Sequence, residues 1–212
     1  MLALIIAPAF VLAACRRGSS APPPAPAPLA RPVPAPSRRA EPAGVRPKYV
    51  GTLDATITQA DLDSLWAHQL MVPVEGVSRR TLRDGFTAHR GGRIHAAMDI
   101  PSPRLTAVLA TDDLVIGRLV TGPVGGVVIY ATDPSGQFVY YFAHLDRYRR
   151  GLAVGDRVAK ASVIGYVGTT GNASPDMPHL HFQVMKRGAG RVWWDGPPIN
   201  SIAFFAFDGV RP

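Results

Sequence analysis

Three short segments carry histidine and aspartate side chains at spacings that could hold a metal ion. In the segment PHLHF at residues 178–182, His179 and His181 lie two residues apart in an apolar run. Side chains alternate between the faces of a strand, so both imidazoles would point the same way, roughly 7 Å apart. Both histidines could bind one metal ion, or one could bind the metal while the other takes part in the chemistry beside it. Two ordinary half-buried histidines would show the same spacing, so this pair alone decides nothing.

The upstream segments supply further donors of the same kind. In GRIHAAMDI at residues 92–100, His95 and Asp99 are four residues apart, and Pro101 and Pro103 follow at once. The prolines predict a bend leading into a strand rather than a helix. Imidazole nitrogen and carboxylate oxygen suit a borderline cation such as zinc. His144 then ends an aromatic run, so three separate elements each bring polar side chains beside apolar residues, where an unpaired imidazole is costly.

The other histidines and a tryptophan pair have weaker signals. His68 and His89 have no such partners, and we interpret them as ordinary surface or helix residues. Trp193 and Trp194 lie in what we predict to be a final strand-like segment, which would turn one ring inward and one outward. Packing at the rim and contact with a substrate both remain open for this pair.

Periodicity predicts a mostly β structure that could position these residues. Residues 61–70 show the one clear helical period, with apolar side chains at Leu62, Leu65, Trp66 and Leu70. Beyond them, short β-rich runs alternate with Gly and Pro, which predicts an antiparallel sandwich or partly closed barrel. The predicted strands are residues 105–110, 114–120, 126–131, 138–142, 163–167 and 180–185.

Residues 151–168 resemble the hammerhead strands of lipoyl and biotinyl carrier domains. Those carriers present a lysine at a hairpin tip, usually between methionines, whereas Lys160 lies in the sequence VAKAS. The resemblance therefore favours a fold and does not favour a carrier function.

Charge and composition divide the chain in two. Residues 16–48 carry seven Arg or Lys and one Glu, a net of +6 out of +8, which leaves +2 for residues 49–212. The globular part is nearly neutral, so a nucleic-acid partner is not expected. Residues 16–48 also hold ten prolines, which predicts an extended, disordered linker. Its positive charge either suits an anionic cell envelope or is incidental.

The N-terminal segment predicts export. Residues 2–12 form an apolar run too short to cross a bilayer and typical of a signal peptide. The run ends in LAAC at residues 12–15, which resembles the lipobox of bacterial lipoproteins and would leave Cys15 lipidated. A plain signal peptide cut at the alanines is the alternative. Cys15 is the single cysteine, so no intramolecular disulfide can form.

Taken together and in order, these motifs resemble the lysostaphin-type (LytM-like) zinc metallopeptidases that cut peptidoglycan. The similarity runs over residues 72–200. It implies an all-β fold: a small antiparallel, β-barrel-like sheet of the duplicated hybrid motif, with hammerhead strands, an open metal groove and one short N-terminal helix. It also implies Zn²⁺ held by His95, Asp99 and His181, with His144 and His179 in catalysis. Which of His144 and His179 is the general base stays open.

The sequence departs from the family pattern at three places. Ala97 stands where a glycine is usual, Gln183 replaces an acidic residue that often follows the His-Phe pair, and the loop at residues 169–178 is slightly long. None of these changes removes a ligand. The long loop is expected to shape one wall of the groove.

The resemblance leads to an expected organisation and function. Residues 1–15 form a signal peptide with lipobox, 16–48 the linker, 49–71 a helical lead-in and 72–212 the peptidase domain. The expected protein is a monomeric endopeptidase that hydrolyses peptidoglycan cross-links during cell-wall remodelling. Its lipidated Cys15 would anchor it to the cell envelope, at the outer membrane facing the periplasm. A non-catalytic wall-binding regulator of an amidase is the alternative.

Overall fold

Residues 54–211, which the computed structural model describes, form a small β-rich structure with one α-helix. The predicted signal peptide, lipobox and linker lie outside these residues. Within them, no helix is long and apolar enough to cross a bilayer. The elements are α1 (Gln59–Ala67) and the strands β1 (Leu70–Met71), β2 (His89–Arg90), β3 (Arg93–Ile94), β4 (Met98–Pro101), β5 (Ala107–Leu109), β6 (Leu114–Gly122), β7 (Gly126–Thr132), β8 (Phe138–Tyr148), β9 (Arg157–Val158), β10 (Val163–Val167), β11 (His179–Lys186), β12 (Pro198–Ile199) and β13 (Phe205–Phe207), with 3₁₀ turns at Arg79–Thr81 and Ile202–Phe204.

A nine-stranded antiparallel sheet dominates the fold. Its main path is β12-β11-β8-β7-β6-β9, while β4 pairs with β11, and β10 pairs with both β5 and β8. The outer strands β12 and β9 do not pair with each other within the described residues, so the sheet stays open. The predicted all-β class with one short helix is confirmed, and no closed barrel forms.

The long strands β8 and β11 show why one sheet face is core and the other is free for a site. Along β11 the side chains of Leu180, Phe182 and Val184 are buried, while the residues between them, from His179 on, face the other side. On the core side, the ring of Phe182 lies 5.2 Å from that of Phe142 on β8. The period-two pattern predicted both strands, and it places His179 and His181 on one face as expected.

Helix α1 is fixed at its start by a capping box. The backbone N–H of Asp61 donates to Thr58 Oγ1, and the backbone N–H of Thr58 donates to Asp61 Oδ2. The same carboxylate accepts from Lys186 Nζ at 2.8 Å, which ties the helix to the end of β11. Leu62 and Leu65 are buried against the sheet. The helix predicted at residues 61–70 is therefore present, but it starts two residues earlier and ends three residues earlier, and Leu70 belongs to β1.

His68, at the end of α1, is more than an ordinary surface residue. Its Nδ1 contacts Asp112 Oδ2, and the fully buried Asp112 carboxylate also accepts from Tyr140 Oη at 3.0 Å. Lys160 Nζ lies 3.5 Å from Asp112 and donates to the His68 carbonyl at 2.7 Å. Lys160 thus has a structural partner on the helix side, in keeping with its exclusion as a carrier lysine. The interpretation of His68 as a helix residue fits its place at the end of α1, but the expectation that it has no partner was wrong, because Asp112 is distant in sequence.

We expect Asp61→Asn to lower the free energy of unfolding by about 1–2 kcal/mol at neutral pH. Burial alone would raise the pKa of Asp61, but hydrogen bonds from Lys186 and Thr58 hold its pKa well below the ordinary value. A carboxylate with a lowered pKa stabilises the fold above its unfolded pKa of about 4, and this contribution is lost as the pH falls further. The difference in urea unfolding between wild type and variant should therefore shrink from pH 7 to pH 3.

Asp63→Asn is the matched control, since it removes the same charge from the same helix and leaves the capping box intact. A pH-independent difference for Asp61→Asn would contradict the expectation.

Candidate active site

Three side chains converge where β4 meets β11. Asp99 lies directly opposite His181 in the antiparallel pair, and His95 precedes β4 in a bend. Asp99 Oδ1 lies 3.0 Å from His181 Nδ1 and 3.1 Å from His95 Nε2. The two imidazole nitrogens are 3.2 Å apart. Within residues 54–211, this is the one group of three His, Cys, Asp or Glu side chains arranged to hold a metal ion.

The donor set fits zinc in type and spacing. Donors at about 2.0–2.1 Å from zinc and at tetrahedral angles are about 3.3–3.4 Å apart, close to the spacing of these three atoms. The Nδ1 of His95 lies 3.1 Å from the Gly85 carbonyl, to which it donates. Its Nε2 therefore presents a lone pair toward Asp99 and His181. Lone pairs facing one another across 3 Å are stabilised by a cation between them.

The bend that brings His95 into the cluster is held by its backbone. The amides of His95 and Ala96 donate to the carbonyls of Ala88 and Phe86, each at 2.8 Å. Ala96 has a φ of +56°, a conformation that costs a residue with a side chain about 1–2 kcal/mol. Gln183 Nε2 donates to the Ala96 carbonyl at 2.9 Å and so holds this peptide in place. The side-chain amide of Gln183 thus stabilises the bend that carries His95.

Arg90 is a site residue that the sequence reasoning missed. Its guanidinium lies 2.7 Å from Asp99 Oδ2, the carboxylate oxygen that faces away from the two imidazoles. This ion pair fixes the carboxylate so that Oδ1 points into the cluster. Arg90 projects from the hairpin of β2 and β3, whose turn residues Gly91 and Gly92 both have positive φ. The GG turn is the signal that could have placed this arginine over the site.

His144 and His179 stand beside the cluster. Their rings are 5.0 Å apart, and the ring of His144 is 5.6 Å from that of His181. His144 Nδ1 lies 2.8 Å from the Thr170 carbonyl, and His179 Nδ1 lies 2.8 Å from the Met177 carbonyl. Each carbonyl fixes the proton on Nδ1, which leaves the Nε2 of each ring as the working atom. His179 Nε2 is 3.8 Å from Asp99 Oδ1, against 3.0 Å for His181 Nδ1.

A strand irregularity carries His144 into the groove. By simple alternation from Phe142, which lies in the core, His144 would face the core as well. Instead it has a φ of +59°, its amide donates to the Gly125 carbonyl at 2.8 Å, and the next core residue is Leu145. The pairing of β7 with β8 shifts register at this point. This is a β-bulge, a feature that re-aims side chains next to sites.

The ionisation of the site follows from its burial. Burial lowers the pKa of His95 and of His144, so both are neutral imidazoles near pH 7. Burial alone would raise the pKa of Asp99, but the hydrogen bond and charge of His181, and the neighbouring His95 and Arg90, keep its pKa below the ordinary value. A neutral His95 and an ionised Asp99 are the protonation states that a metal requires of these two ligands.

The cluster lies in a groove that continues on both sides. One side is a cleft of about 780 Å³, walled by the loop of residues 172–178 and by residues 101–103. The wall predicted from the long loop is therefore present. The other side is a cleft of about 280 Å³ floored by Tyr130, Tyr141 and Gln183. Burial raises the pKa of Tyr141 to about 12, so its hydroxyl keeps its proton.

Trp193 and Trp194 lie in a turn, so the predicted final strand through them was wrong. The ring of Trp193 covers the backbone of Gly117, where an added Cβ would lie 2.2 Å from it. Trp194 instead borders the smaller cleft, with the Arg118 guanidinium carbon 3.8 Å from its ring centre. One tryptophan is therefore a packing residue and the other a rim residue. His89 is exposed on β2.

The sequence of this chain is similar to that of known peptidases. Residues 93–193 match the sequence profile of Peptidase family M23. Over 117 residues the chain is 33% identical to the L-Ala--D-Glu endopeptidase of Bacillus subtilis (strain 168), which covers 53% of this chain and 35% of that protein. The chain thus spans about a third of the length of this curated relative.

Two solved structures share the fold. One is a putative glycyl-glycine endopeptidase lytM from Ruminococcus gnavus ATCC 29149, with 22% identity and a TM-score of 0.57 over 72% of this chain and 67% of that one. The other is the antimicrobial peptidase lysostaphin from Staphylococcus simulans, with 22% identity and a TM-score of 0.51 over 65% and 53%. The profile match over residues 93–193 and the shared fold make this part of the chain similar to the LytM-like peptidases of family M23.

Proposed function

We propose that this chain is a zinc-dependent endopeptidase that hydrolyses peptide cross-links of bacterial peptidoglycan in cell-wall remodelling. The observation that carries the proposal is the convergence of His95 Nε2, Asp99 Oδ1 and His181 Nδ1 within 3.0–3.2 Å of one another, beside two further imidazoles. A zinc ion at these donors would supply the Lewis acid that polarises a scissile carbonyl and activates water.

The chain's own residues would then handle the protons. His144 and His179 each have Nδ1 committed to a backbone carbonyl, so Nε2 of either ring can accept a proton from the attacking water. The same atoms, once protonated, can donate to the tetrahedral oxyanion or to the leaving amine. With the two rings 5.0 Å apart, one can stand on each side of the reacting carbon. Either histidine is a candidate base.

The groove supports a peptide as substrate. Clefts of about 780 Å³ and 280 Å³ lie on opposite sides of the donor cluster, so an extended substrate peptide can bind across the cluster and reach into both clefts. The relatives' names specify different peptide bonds, L-Ala to D-Glu in one and glycyl-glycine in another. For this chain we propose cross-links between D-alanine and diaminopimelate, in keeping with the predicted export to a diderm cell envelope.

Zinc content and sacculus hydrolysis test the proposal together. The purified protein should hold one zinc per chain and release soluble muropeptides from isolated sacculi, and a chelator should abolish the release until zinc is restored. Mass spectrometry of the products identifies the bond that is cut. Binding to sacculi with no release at any zinc concentration would instead support the non-catalytic regulator.

We further propose that Cys15 is lipidated and anchors the protein to the outer membrane, facing the periplasm. This proposal rests on the LAAC sequence at residues 12–15. Cys15→Ala should move the protein from the membrane to the soluble fraction without reducing its hydrolysis of sacculi, because the groove lies in residues 85–195. Unchanged membrane fractionation of Cys15→Ala would contradict the lipobox.

A further inference from the structure

A row of side chains leads from the donor cluster across the sheet to Arg118. Gln183 on β11 lies opposite Tyr141 on β8, Tyr141 lies opposite Tyr130 on β7, and Tyr130 lies opposite Arg118 on β6. Residues directly opposite in antiparallel strands share a face, so all four side chains lie on the face of the sheet that carries His181. The row begins two residues beyond His181.

Ring contacts make this row continuous. The ring of Tyr141 lies 5.9 Å from that of His181 and 4.8 Å from that of Tyr130. The Arg118 guanidinium carbon lies 5.5 Å from the centre of the Tyr130 ring and 3.8 Å from that of Trp194. The smaller cleft is therefore lined by the rings of Tyr130, Tyr141 and Trp194, and Arg118 lies against two of them.

The Arg118 guanidinium lies against two aromatic rings, those of Trp194 and Tyr130. Stacking on Trp194 covers a face of the planar guanidinium and holds its orientation. Among the described residues, none accepts a hydrogen bond from Arg118 and no carboxylate lies within 4.0 Å of it. Asp195 borders the smaller cleft, but its carboxylate lies beyond the ion-pair distance of 4.0 Å from the Arg118 guanidinium. A guanidinium edge presents paired N–H donors that match a carboxylate.

We propose that Arg118, held by Trp194 and Tyr130, is a binding site for a carboxylate of the peptide substrate, remote from the bond that is cut. Three interstrand spacings separate Arg118 from β11, about 14 Å, and His181 is about 7 Å further along that strand. The bound carboxylate therefore belongs to a residue several positions from the scissile bond. Peptidoglycan stems that contain diaminopimelate carry free carboxylates of this kind. The inference rests on the proposed function and names a substrate group that it recognises.

The test compares cross-linked muropeptide dimers with the same dimers whose carboxylates have been amidated. Wild-type protein should cleave the free form with a kcat/KM about 10–100-fold higher, mainly through KM, as expected for a charge-assisted bidentate contact. Arg118→Gln should reduce this free-to-amidated ratio to near one, and Arg118→Lys should restore it only in part. Arg147→Gln is the matched control, because Arg147 also stacks on an aromatic ring, that of Tyr166 at 4.6 Å, outside the groove. It should keep the wild-type ratio.

Each outcome separates the two proposals. An unchanged ratio in Arg118→Gln, or an equal loss on both peptides, would overturn the carboxylate site and leave a structural role. If wild-type protein cleaves neither form, the proposed function fails. Equilibrium binding of the same fluorescein-labelled pair, followed by anisotropy, then decides the Arg118 site alone: the preference for free carboxylates must disappear in Arg118→Gln, and its persistence would overturn the site.

Discussion

His181→Ala is expected to lose both zinc and hydrolysis. Its Nδ1 is one of only three donor atoms in the cluster, at 3.0 Å from Asp99 Oδ1 and 3.2 Å from His95 Nε2. A structural zinc site contributes about 10–16 kcal/mol over four ligands, so losing one ligand should weaken affinity by roughly 10²–10³-fold. Dialysed His181→Ala should therefore contain little zinc by elemental analysis, and its release of muropeptides should fall to background.

A second readout does not depend on activity. A ligand that binds only the folded chain raises its melting temperature, so added zinc should stabilise the wild type and not His181→Ala. His89→Ala is the control, because His89 is an exposed imidazole on β2 and lies outside the donor cluster. Stoichiometric zinc in dialysed His181→Ala would show that another residue is the ligand.

The elements that the sequence predicted best are those whose pattern is local. The run at residues 163–167 coincides with β10, and β11 differs from its predicted bounds by one residue at each end. Alternation in β11 also sufficed to place His179 and His181 on one face, since every second residue is an apolar core residue. The convergence of Asp99 with His181 was expected only through the family resemblance, and the pairing of β4 with β11 that produces it was not predicted.

The features that escaped prediction depend on contacts between distant segments or on irregular backbone. The positive φ of His144 reverses the face that alternation assigns to it, and nothing in the run YYFAHL signals a bulge. Arg90 reaches Asp99 from a separate hairpin, and Asp112 reaches His68 across 44 residues. Tryptophan is common in strands, but Trp193 and Trp194 lie in a turn. There Trp193 contacts Gly117 and Trp194 contacts Arg118. Local propensity carries no information about such partners.

Replacing His144 or His179 should separate catalysis from metal binding. Each Nδ1 is committed to a backbone carbonyl, and neither residue belongs to the three-donor cluster. Zinc content should therefore stay at one per chain in His144→Ala and in His179→Ala. Activity should fall by roughly 10²–10⁴-fold in each, the range for losing a general acid–base or an oxyanion partner.

The backbone at His144 dictates the choice of variant. Its φ of +59° is costly for alanine but tolerated by asparagine, so His144→Asn should unfold at a higher temperature than His144→Ala. Both should lose activity equally if the imidazole itself is what matters. Equal melting temperatures with unequal activities would point to a backbone role instead.

A double replacement tests whether His144 and His179 act together, and a comparison with His181 tests which histidine of β11 binds the metal. If His144 and His179 act in one proton-transfer step, the double replacement should cost less than the product of the single losses. His179 is the alternative metal ligand to His181, because its Nε2 lies 3.8 Å from Asp99 Oδ1 on the same strand face. The zinc affinities of His179→Ala and His181→Ala decide which of the two histidines binds the metal. Metal lost from His179→Ala and kept by His181→Ala would exchange the roles of the two histidines, whereas the reverse pattern leaves His179 free to carry the proton.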